Sequence, residues 1–283
     1  MNVTRRSLIK LGGVAALGAL GAGTLAGCGQ PNQNPKASAS EAAATGGPSF
    51  LQAPEPITDF AETKEFDVIV VGAGESGLSA VHTALEAGAS VACVQNIGTA
   101  QTTGNMAASI DLSQTDEAAV QACVRFINWK SDYRSNRDLV NVWAHNSQEA
   151  IGWWAEEAAQ GGVESKPHDS VLTYNGYDIH LHANTYFHVE GNHNAAALAI
   201  AERLAAAGAE FFYNTPAVQL YKEDGAVKGV ICSNEAEEHV LFKATKGVIL
   251  ACGDYSSNQE MLDYYAPDTK GFSLFTTFRD GSA

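Results

Sequence analysis

The sequence predicts an α/β domain with a largely parallel sheet and a small β-meander. Three observations predict this class: an apolar run at residues 66–71, a helix-period segment directly after it, and a second apolar run at residues 90–95. A buried parallel strand is a continuous apolar stretch, whereas Leu78, Val81 and Leu85 recur at the spacing of one helix face. The three segments together form a βαβ unit of the expected size.

The turn between the first strand and the helix has the pattern G-x-G-x-x-G at residues 72–77. Gly72 permits the tight turn, Gly74 lets the backbone approach a diphosphate, and Gly77 lets the helix pack close to the strand. Phosphates bind at such helix N-termini, so this Rossmann-like unit predicts a dinucleotide site. The predicted contact residues are Gly72, Ala73, Gly74, Glu75, Ser76 and Gly77, with Gln95 and Asn96 at the end of the second strand.

Gln95 departs from the usual pattern, in which an acidic residue ends the second strand and binds the ribose hydroxyls. A glutamine can still hydrogen-bond a hydroxyl, but without the assistance of a charge. This residue does not separate a flavin from a nicotinamide dinucleotide. The alternative interpretation of the whole unit is a doubly wound domain whose glycine turn binds nothing.

The rest of the chain is predicted to contain helices, short strands and one meander. The first of three expected helices is capped by Thr115, and the second carries three tryptophans assigned to the core. Asp224-Gly225 is a hairpin signal, and residues 257–260 form a capping box that opens a short helix. The predicted segments are helices near residues 115–127, 138–159 and 192–207, and strands at 210–215, 217–220, 227–232, 239–243 and 246–253, the last of them buried.

The loop that follows the second strand, residues 102–109, is rich in small residues. From this loop to the helix ending near residue 266, the chain resembles the FAD-binding fumarate reductase and succinate dehydrogenase flavoprotein family, in its exported flavocytochrome-like or urocanate-reductase-like branch. Cys252 and Asp254 depart from the threonine and glycine usual in that family. The resemblance covers residues 64–268 and implies that FAD also contacts Thr103, Gly104, Asn105, Ala217, Val218, Ala251 and Gly253.

The resemblance implies an FAD-dependent oxidoreductase that reduces the C=C bond of a small unsaturated carboxylate. Its electrons would come from an external donor, such as a cytochrome or a membrane quinol-linked protein, since the sequence has no C-x-x-C-H haem motif. In the family, a cap domain and a C-terminal FAD segment follow and carry the active site. No segment of this sequence matches them, so residues 63–283 are interpreted as an incomplete FAD-binding domain, either an N-terminal fragment or a truncated gene product, and no catalytic residue is assigned.

Residues 1–28 are typical of a twin-arginine signal with a lipobox. Arg5 and Arg6 precede a mild apolar stretch that is too short and too weakly hydrophobic for a stable membrane span. Leu-Ala-Gly-Cys then ends at Cys28, so we predict export, lipidation of Cys28 and a membrane-anchored position at the cell surface or periplasmic side. Ordinary cleavage beside an incidental Cys28 is the alternative. Residues 29–62, rich in Pro, Ser, Ala, Gly and Asn, are predicted to be a flexible linker.

The formal net charge of −15 argues against nucleic acid as a partner. It fits either a basic redox partner or an ordinary acidic surface. The five cysteines form no C-x-x-C pair, and the four beyond Cys28 are predicted to be buried free thiols. His180 and His182 would share one face of an extended segment, but no third ligand has a fixed spacing, so no metal is predicted.

Three other functions stay open at this stage. A flavin-dependent ketosteroid-type dehydrogenase would share this cofactor site. A non-catalytic, nucleotide-binding surface lipoprotein is favoured by Gln95, Cys252 and Asp254. An NAD-dependent dehydrogenase fits the meander and the loop at residues 102–109 less well. A flavin absorbance spectrum would separate the flavoenzymes from the non-catalytic lipoprotein.

Overall fold

Two neighbouring parallel strands, β1 (Glu62–Val71) and β9 (His239–Leu250), form the middle of the larger sheet in the computed structural model. The structure describes residues 47–102, 106–185 and 194–270. The other described strands are β2 (Val91–Val94), β3 (Met106–Ile110), β4 (Lys166–Tyr174), β5 (Tyr177–Thr185), β6 (Glu210–Phe212), β7 (Ala217–Glu223) and β8 (Ala226–Ser233). The described helices are α1 (Glu75–Glu86), α2 (Glu117–Lys130), α3 (Arg137–Gln160), α4 (Ala195–Ala206) and α5 (Gln259–Tyr265).

The larger sheet is parallel on one side and antiparallel on the other. Its strand order is β6-β2-β1-β9-β8-β7, in which the first four strands run parallel and the last two form an antiparallel meander with β9. Asp224 and Gly225, with φ of 51° and 77°, form the turn between β7 and β8 that the sequence predicts. The predicted α/β class, with a parallel sheet and a meander, is confirmed.

Alternate residues of β1 and β2 pack on opposite faces of this sheet, which explains their continuous apolar sequences. Val70 and Cys93 face a core shared with α1, α3 and α4, to which Trp154 also belongs. Ile69 and Val71 face a second core on the other side of the sheet. A sheet covered on both faces requires apolar residues at every position of its central strands.

The smaller sheet, in the order β3-β5-β4, has no counterpart among the predicted elements. Its hairpin turns at Asn175 and Gly176, both with positive φ, and an Asn-Gly pair is a strong hairpin signal. Ile179 and Leu181 on β5 pack with Ile110 of β3 against α2 and α3. The sequence therefore contained the information for this hairpin, in the turn and in the alternation of β5.

Two helix starts lie one residue later than the sequence predicts. The carboxylate of Asp116 caps α2, whereas the hydroxyl of the expected cap, Thr115, accepts a bond from the His180 amide at 3.1 Å. The side chain of Asn258, and not that of Ser257, caps α5. In both places the preferred cap is the residue whose oxygen reaches the backbone amide three positions further on.

Strand β9 corrects the prediction of two separate strands at residues 239–243 and 246–253. A single strand pairs with β1 along its whole length because an irregularity between Phe66 and Val68 absorbs the change of register. The end of β9 is also not buried as predicted, since Ile249 is 40% exposed and Leu250 is 58% exposed. This continuous pairing brings the end of β9 beside the end of β1.

The segment 48–61, which lies in the predicted flexible linker, contacts the domain. It belongs to the same compact unit as the sheet and includes a 3₁₀ turn at Ser49–Leu51. The predicted signal and lipidation site, Cys28, lie outside the described residues. Among the residues described, no helix combines the length and apolar character needed to cross a bilayer.

His145 on α3 connects that helix to α2. Its Nδ1 lies 2.8 Å from the Asn141 carbonyl oxygen and its Nε2 lies 3.1 Å from a carboxylate oxygen of Glu117. These two interactions raise the pKa of His145 above its ordinary value of 6.5. The folded protein therefore binds this proton more tightly than the unfolded chain does. The resulting stabilisation is fully present below the ordinary value and is lost as the pH rises through the raised one.

We expect His145→Gln to lower the free energy of unfolding by about 0.5 kcal/mol at about pH 5.5, because exposed ion pairs are weak, and by less at about pH 8. Urea unfolding curves at the two pH values measure both differences. His168→Gln, at an exposed position of β4, is the matched control for the replacement of a histidine. An equal loss at both pH values for His145→Gln would contradict the assignment.

Candidate dinucleotide-binding site

The glycine turn, residues 72–77, joins β1 to α1 at the carboxyl end of the parallel strands. Gly72 has a φ of 103°, which side chains rarely adopt, and its amide donates to the Val94 carbonyl at 2.8 Å. The Ala251 amide donates to the Val71 carbonyl at 2.8 Å. The turn is therefore fixed by β2 on one side and by the end of β9 on the other.

Two of the three glycines are required by the packing of the chain itself. A Cβ at Gly77 would lie 1.8 Å from the Gly72 carbonyl oxygen, and a Cβ at Gly72 would lie 2.4 Å from the Ala251 carbonyl oxygen. A Cβ at Gly74 would meet its nearest atom, the Gln101 carbonyl oxygen, at 3.3 Å. The protein leaves more space beside Gly74, which fits the predicted approach of a ligand there.

The first turn of α1 supplies the donors that a diphosphate needs. The Leu78 amide makes the first bond within the helix, to the Gly74 carbonyl at 2.9 Å. The amides of Glu75, Ser76 and Gly77 have no carbonyl partner within the helix, and Gly74 has no side chain with which to cap them. These amides and the positive end of the helix dipole fit an anion such as the diphosphate of FAD.

Glu75 is the acidic residue of this first turn. Its side chain is solvent-accessible, yet neighbouring protein atoms remove part of its hydration and raise its pKa above the ordinary value of 4.5. A raised pKa lowers the cost of protonating the carboxylate beside a phosphate. Glu75 is therefore easier to protonate than an ordinary glutamate.

Gln95 lies at the end of β2 with its side chain buried. Its Oε1 accepts from the Ala73 amide at 3.4 Å, and its Nε2 donates to the Thr99 carbonyl at 3.1 Å. This position needs one acceptor and one donor, and a carboxylate offers acceptors alone. The geometry explains why the usual acidic residue is absent. Binding of a ribose by Gln95 stays a prediction. It would use the second lone pair of Oε1 and the second hydrogen of Nε2, because the first of each is bonded within the chain.

The chain that leads to the predicted adenosine contacts, Ala217 and Val218, starts beside the end of β2. The Thr215 amide donates to the Gln95 carbonyl at 2.8 Å, so the chain leading to Ala217 and Val218 passes the end of β2. Ala217 and Val218 are exposed at the start of β7, and Asn96 is half-buried. The structure therefore places the apolar backbone segment near the glycine turn, without testing its contact with adenine.

The turn after β9, residues 251–258, completes the described part of the site. Gly253 is exposed and has a φ of 89°. The carboxylate of Asp254 accepts a 2.7 Å bond from the Ser256 amide, and bonds from the Ser256 hydroxyl and amide lower the pKa of Asp254. This acid is thus directed into its own turn, which reduces the conflict with a diphosphate that its sequence position suggests.

Thr103, Gly104 and Asn105 lie outside the described residues. The chain that leads to them is held against the glycine turn, because the Gln101 amide donates to the Ala73 carbonyl at 3.2 Å. Sequence reasoning missed Gln101 as a support of the turn. Its contribution uses backbone atoms alone, so no residue type could have indicated it.

The histidine pair of β5 has a local explanation. The Nδ1 atom of His182 lies 2.5 Å from a carboxylate oxygen of Asp169 on the neighbouring strand β4. Within the part of the chain that the structure describes, no cluster of three or more His, Cys, Asp or Glu side chains is placed to bind a metal ion. His182 is thus paired across the hairpin rather than with His180.

The cysteines of the described residues are free thiols. Cys93, Cys123 and Cys232 are buried, as predicted, whereas Cys252 in the turn after β9 is half-buried. Burial raises the pKa of Cys93 and of Cys232 to about 12, and it also raises that of Cys123. These three side chains are therefore core residues and poor nucleophiles.

We expect Gly77→Ala to destabilise the protein by about 3 kcal/mol, because the added methyl group overlaps the Gly72 carbonyl and the turn must move. Gly152→Ala on α3 is the matched control: its Cβ would meet nothing within 4 Å, and the change should be neutral or slightly stabilising. Urea midpoints, together with the bound nucleotide released on denaturation, measure the effect. A Gly77→Ala protein as stable as the control would rule out the tight contact.

The comparisons with known proteins agree with this geometry. A family model described as FAD binding domain matches residues 67–277. Urocanate reductase of Eggerthella lenta is 29% identical over 77% of this chain and 35% of its own length. NADH:fumarate oxidoreductase of Klebsiella pneumoniae is 25% identical over 75% of this chain and 23% of its own length. Digoxin reductase of Eggerthella lenta is 28% identical over 91% of this chain and 46% of its own length.

Two solved structures share the fold. The 3-ketosteroid-Δ4-(5α)-dehydrogenase of Rhodococcus jostii gives a TM-score of 0.61 at 18% identity over 80% of this chain and 53% of that one. A flavocytochrome c3 fumarate reductase gives 0.55 at 22% identity over 75% of this chain and 37% of that one. The chain spans less than half the length of the three curated relatives. It belongs to the FAD-binding domain family, among the flavoproteins of the fumarate reductase and succinate dehydrogenase type, and its cofactor is FAD.

Proposed function

We propose that this chain is the FAD-binding part of an exported reductase that acts on the C=C bond of a small unsaturated carboxylate. The observation that carries the proposal is the similarity to urocanate reductase over 77% of the chain, together with the match to the FAD binding domain. The similarity to NADH:fumarate oxidoreductase supports it. FAD-dependent oxidoreductase is the class on which these relatives agree.

The residues of this chain would bind and orient the cofactor. The amides of the glycine turn and of α1 would hold the diphosphate, and the Gln95 side chain would keep the turn in place through Ala73 and Thr99. The exposed segment at Ala217 and Val218 would lie along the adenosine end. When bound, FAD supplies the redox chemistry, and the protein supplies position and electrostatics.

The electrons would reach the flavin from a separate redox protein, such as a cytochrome or a quinol-linked membrane protein. A net charge of −15 favours encounter with a basic surface, at a rate that falls with ionic strength. A cationic electron carrier is therefore the partner that the charge supports.

A ketosteroid-type dehydrogenase is the second candidate. Digoxin reductase is matched over 91% of this chain, so the relatives are not confined to proteins named for organic acids. Substrate selection in either case rests on residues that this chain's described site does not include. The activity test below distinguishes the two candidates.

We expect the purified full-length protein to carry flavin absorbance and to oxidise reduced methyl viologen when urocanate, fumarate or a related unsaturated carboxylate is added. The rate should exceed that with the saturated analogues by roughly tenfold or more, since these lack the reducible bond. Reduction of an oxidised dye on addition of a ketosteroid, without activity on the carboxylates, would favour the second candidate. A folded, colourless protein would contradict the enzyme assignment and favour a non-catalytic lipoprotein.

We expect export and anchoring to depend on residues 1–28. Cys28→Ser should release the mature protein from the membrane fraction, because it removes the thiol that lipidation requires. Replacing Arg5 and Arg6 with lysines should retain the precursor in the cytoplasm. Fractionation and immunoblotting measure both, with Cys252→Ser as the control for a cysteine substitution. A Cys28→Ser protein that stays in the membrane fraction would show that lipidation of this residue is not the anchor.

A further inference from the structure

The segment from residue 48 to residue 61, here called the strap, reaches α5 at its N-terminal end. The backbone amide of Ser49 donates to one carboxylate oxygen of Glu260 at 2.7 Å, and the Ser49 hydroxyl donates to the other. These bonds hold the pKa of Glu260 below its ordinary value. Because both carboxylate oxygens accept a hydrogen bond from Ser49, this end of the strap is held against α5.

The strap also extends an aromatic chain into the turn after β9. The Phe50 ring lies 5.6 Å from the rings of both Tyr264 and Tyr265, measured between centroids. Tyr265 in turn lies 5.7 Å from Tyr255, which belongs to the turn at residues 251–258. Tilted and edge-to-face pairs at these distances are favourable aromatic contacts. Two successive ring contacts, from Phe50 to Tyr265 and from Tyr265 to Tyr255, therefore connect the strap to the turn at residues 251–258.

The other end of the strap is fixed to the meander. The side chain of Gln219 accepts from the Ile57 amide at 3.1 Å and donates to the Glu55 carbonyl at 3.0 Å. Gln219 follows Val218, the predicted adenine contact. The strap therefore runs between two segments that the family resemblance assigns to FAD contact, the start of β7 and the turn after β9.

Helix α5 depends on such support. It has seven residues, and Leu262 is its buried residue. Isolated helices of this length are unstable in water, so tertiary contacts must hold it. Tyr264 and Tyr265 remain 47% and 50% exposed, and both rings contact Phe50 of the strap.

We propose that the strap positions the turn at residues 251–258 for the diphosphate of FAD, with Phe50 and Glu260 as its positioning residues. The inference rests on the FAD site described above. Strap docking and FAD binding are then thermodynamically coupled, since each favours the same arrangement of the turn. The strap is part of the cofactor site although it precedes β1 in sequence and carries no recognised motif.

The first test is FAD affinity, measured by quenching of flavin fluorescence with full-length protein stripped of its cofactor. Phe50→Ala should raise the Kd for FAD about tenfold, and Glu260→Gln should raise it by a smaller factor. Phe50→Tyr should restore most of the affinity. Phe126→Ala is the matched control: this half-buried ring also contacts two others, Tyr174 and Trp129, but in α2 and far along the chain from the turn. It should leave the Kd within about twofold of the wild type.

The second test needs no FAD. Amide hydrogen exchange of the peptide containing residues 251–258 should be faster in the stripped Phe50→Ala protein than in the wild type, and unchanged in Phe126→Ala. Wild-type Kd and exchange in both Phe50→Ala and Glu260→Gln would overturn the proposal while the FAD assignment stands. An equal rise of the Kd in Phe50→Ala and Phe126→Ala would also overturn it, as a general loss of stability. A wild-type protein that binds no FAD in the same titration would instead overturn the cofactor assignment.

Discussion

The contact between the backbone at Gly77 and the carbonyl of Gly72 is the constraint on which the arrangement of this domain depends. It brings α1 against the end of β1 more closely than any side chain would allow, as the 1.8 Å position of a hypothetical Cβ shows. The Ala251 carbonyl presses on the same turn from β9. The end of the central strand pair, the start of the first helix and the amides at its N-terminus are therefore all fixed by one tightly packed point.

The parts of the fold that follow from local rules could be predicted from the sequence. Periodicity and the glycine spacing located β1, α1 and β2, and the Asp224-Gly225 turn located the meander. The continuity of β9 could not be predicted in this way, because it depends on an irregularity opposite Phe66 that appears only when β1 and β9 pair. The β4–β5 hairpin was not predicted, although its Asn175-Gly176 turn is a local signal that the sequence contains.

Part of the candidate site could be predicted from the sequence, and part of it could not. Residue types identified the glycine turn and the end of β2, but the partners of Gln95 could not be inferred, because both are backbone groups brought near by the fold. Gln95, which the sequence suggests only as a ribose ligand, also hydrogen-bonds the glycine turn and the Thr99 carbonyl in the structure, and its binding of a ribose stays a prediction. Where a site residue departs from its family pattern, its contacts within the chain deserve as much weight as its expected contact with the ligand.

The placement of the thiols bears on the export that we propose for this chain. Cys93 and Cys232 lie in cores on opposite faces of the larger sheet, and Cys123 lies in the core beside the smaller sheet. Once the domain has folded, oxidants and thiol exchangers in solution cannot reach these buried sulfurs. A chain that crossed the membrane unfolded would expose all three thiols to incorrect disulfide pairing. Folding before transport would protect these thiols from oxidation and would also let FAD bind before export.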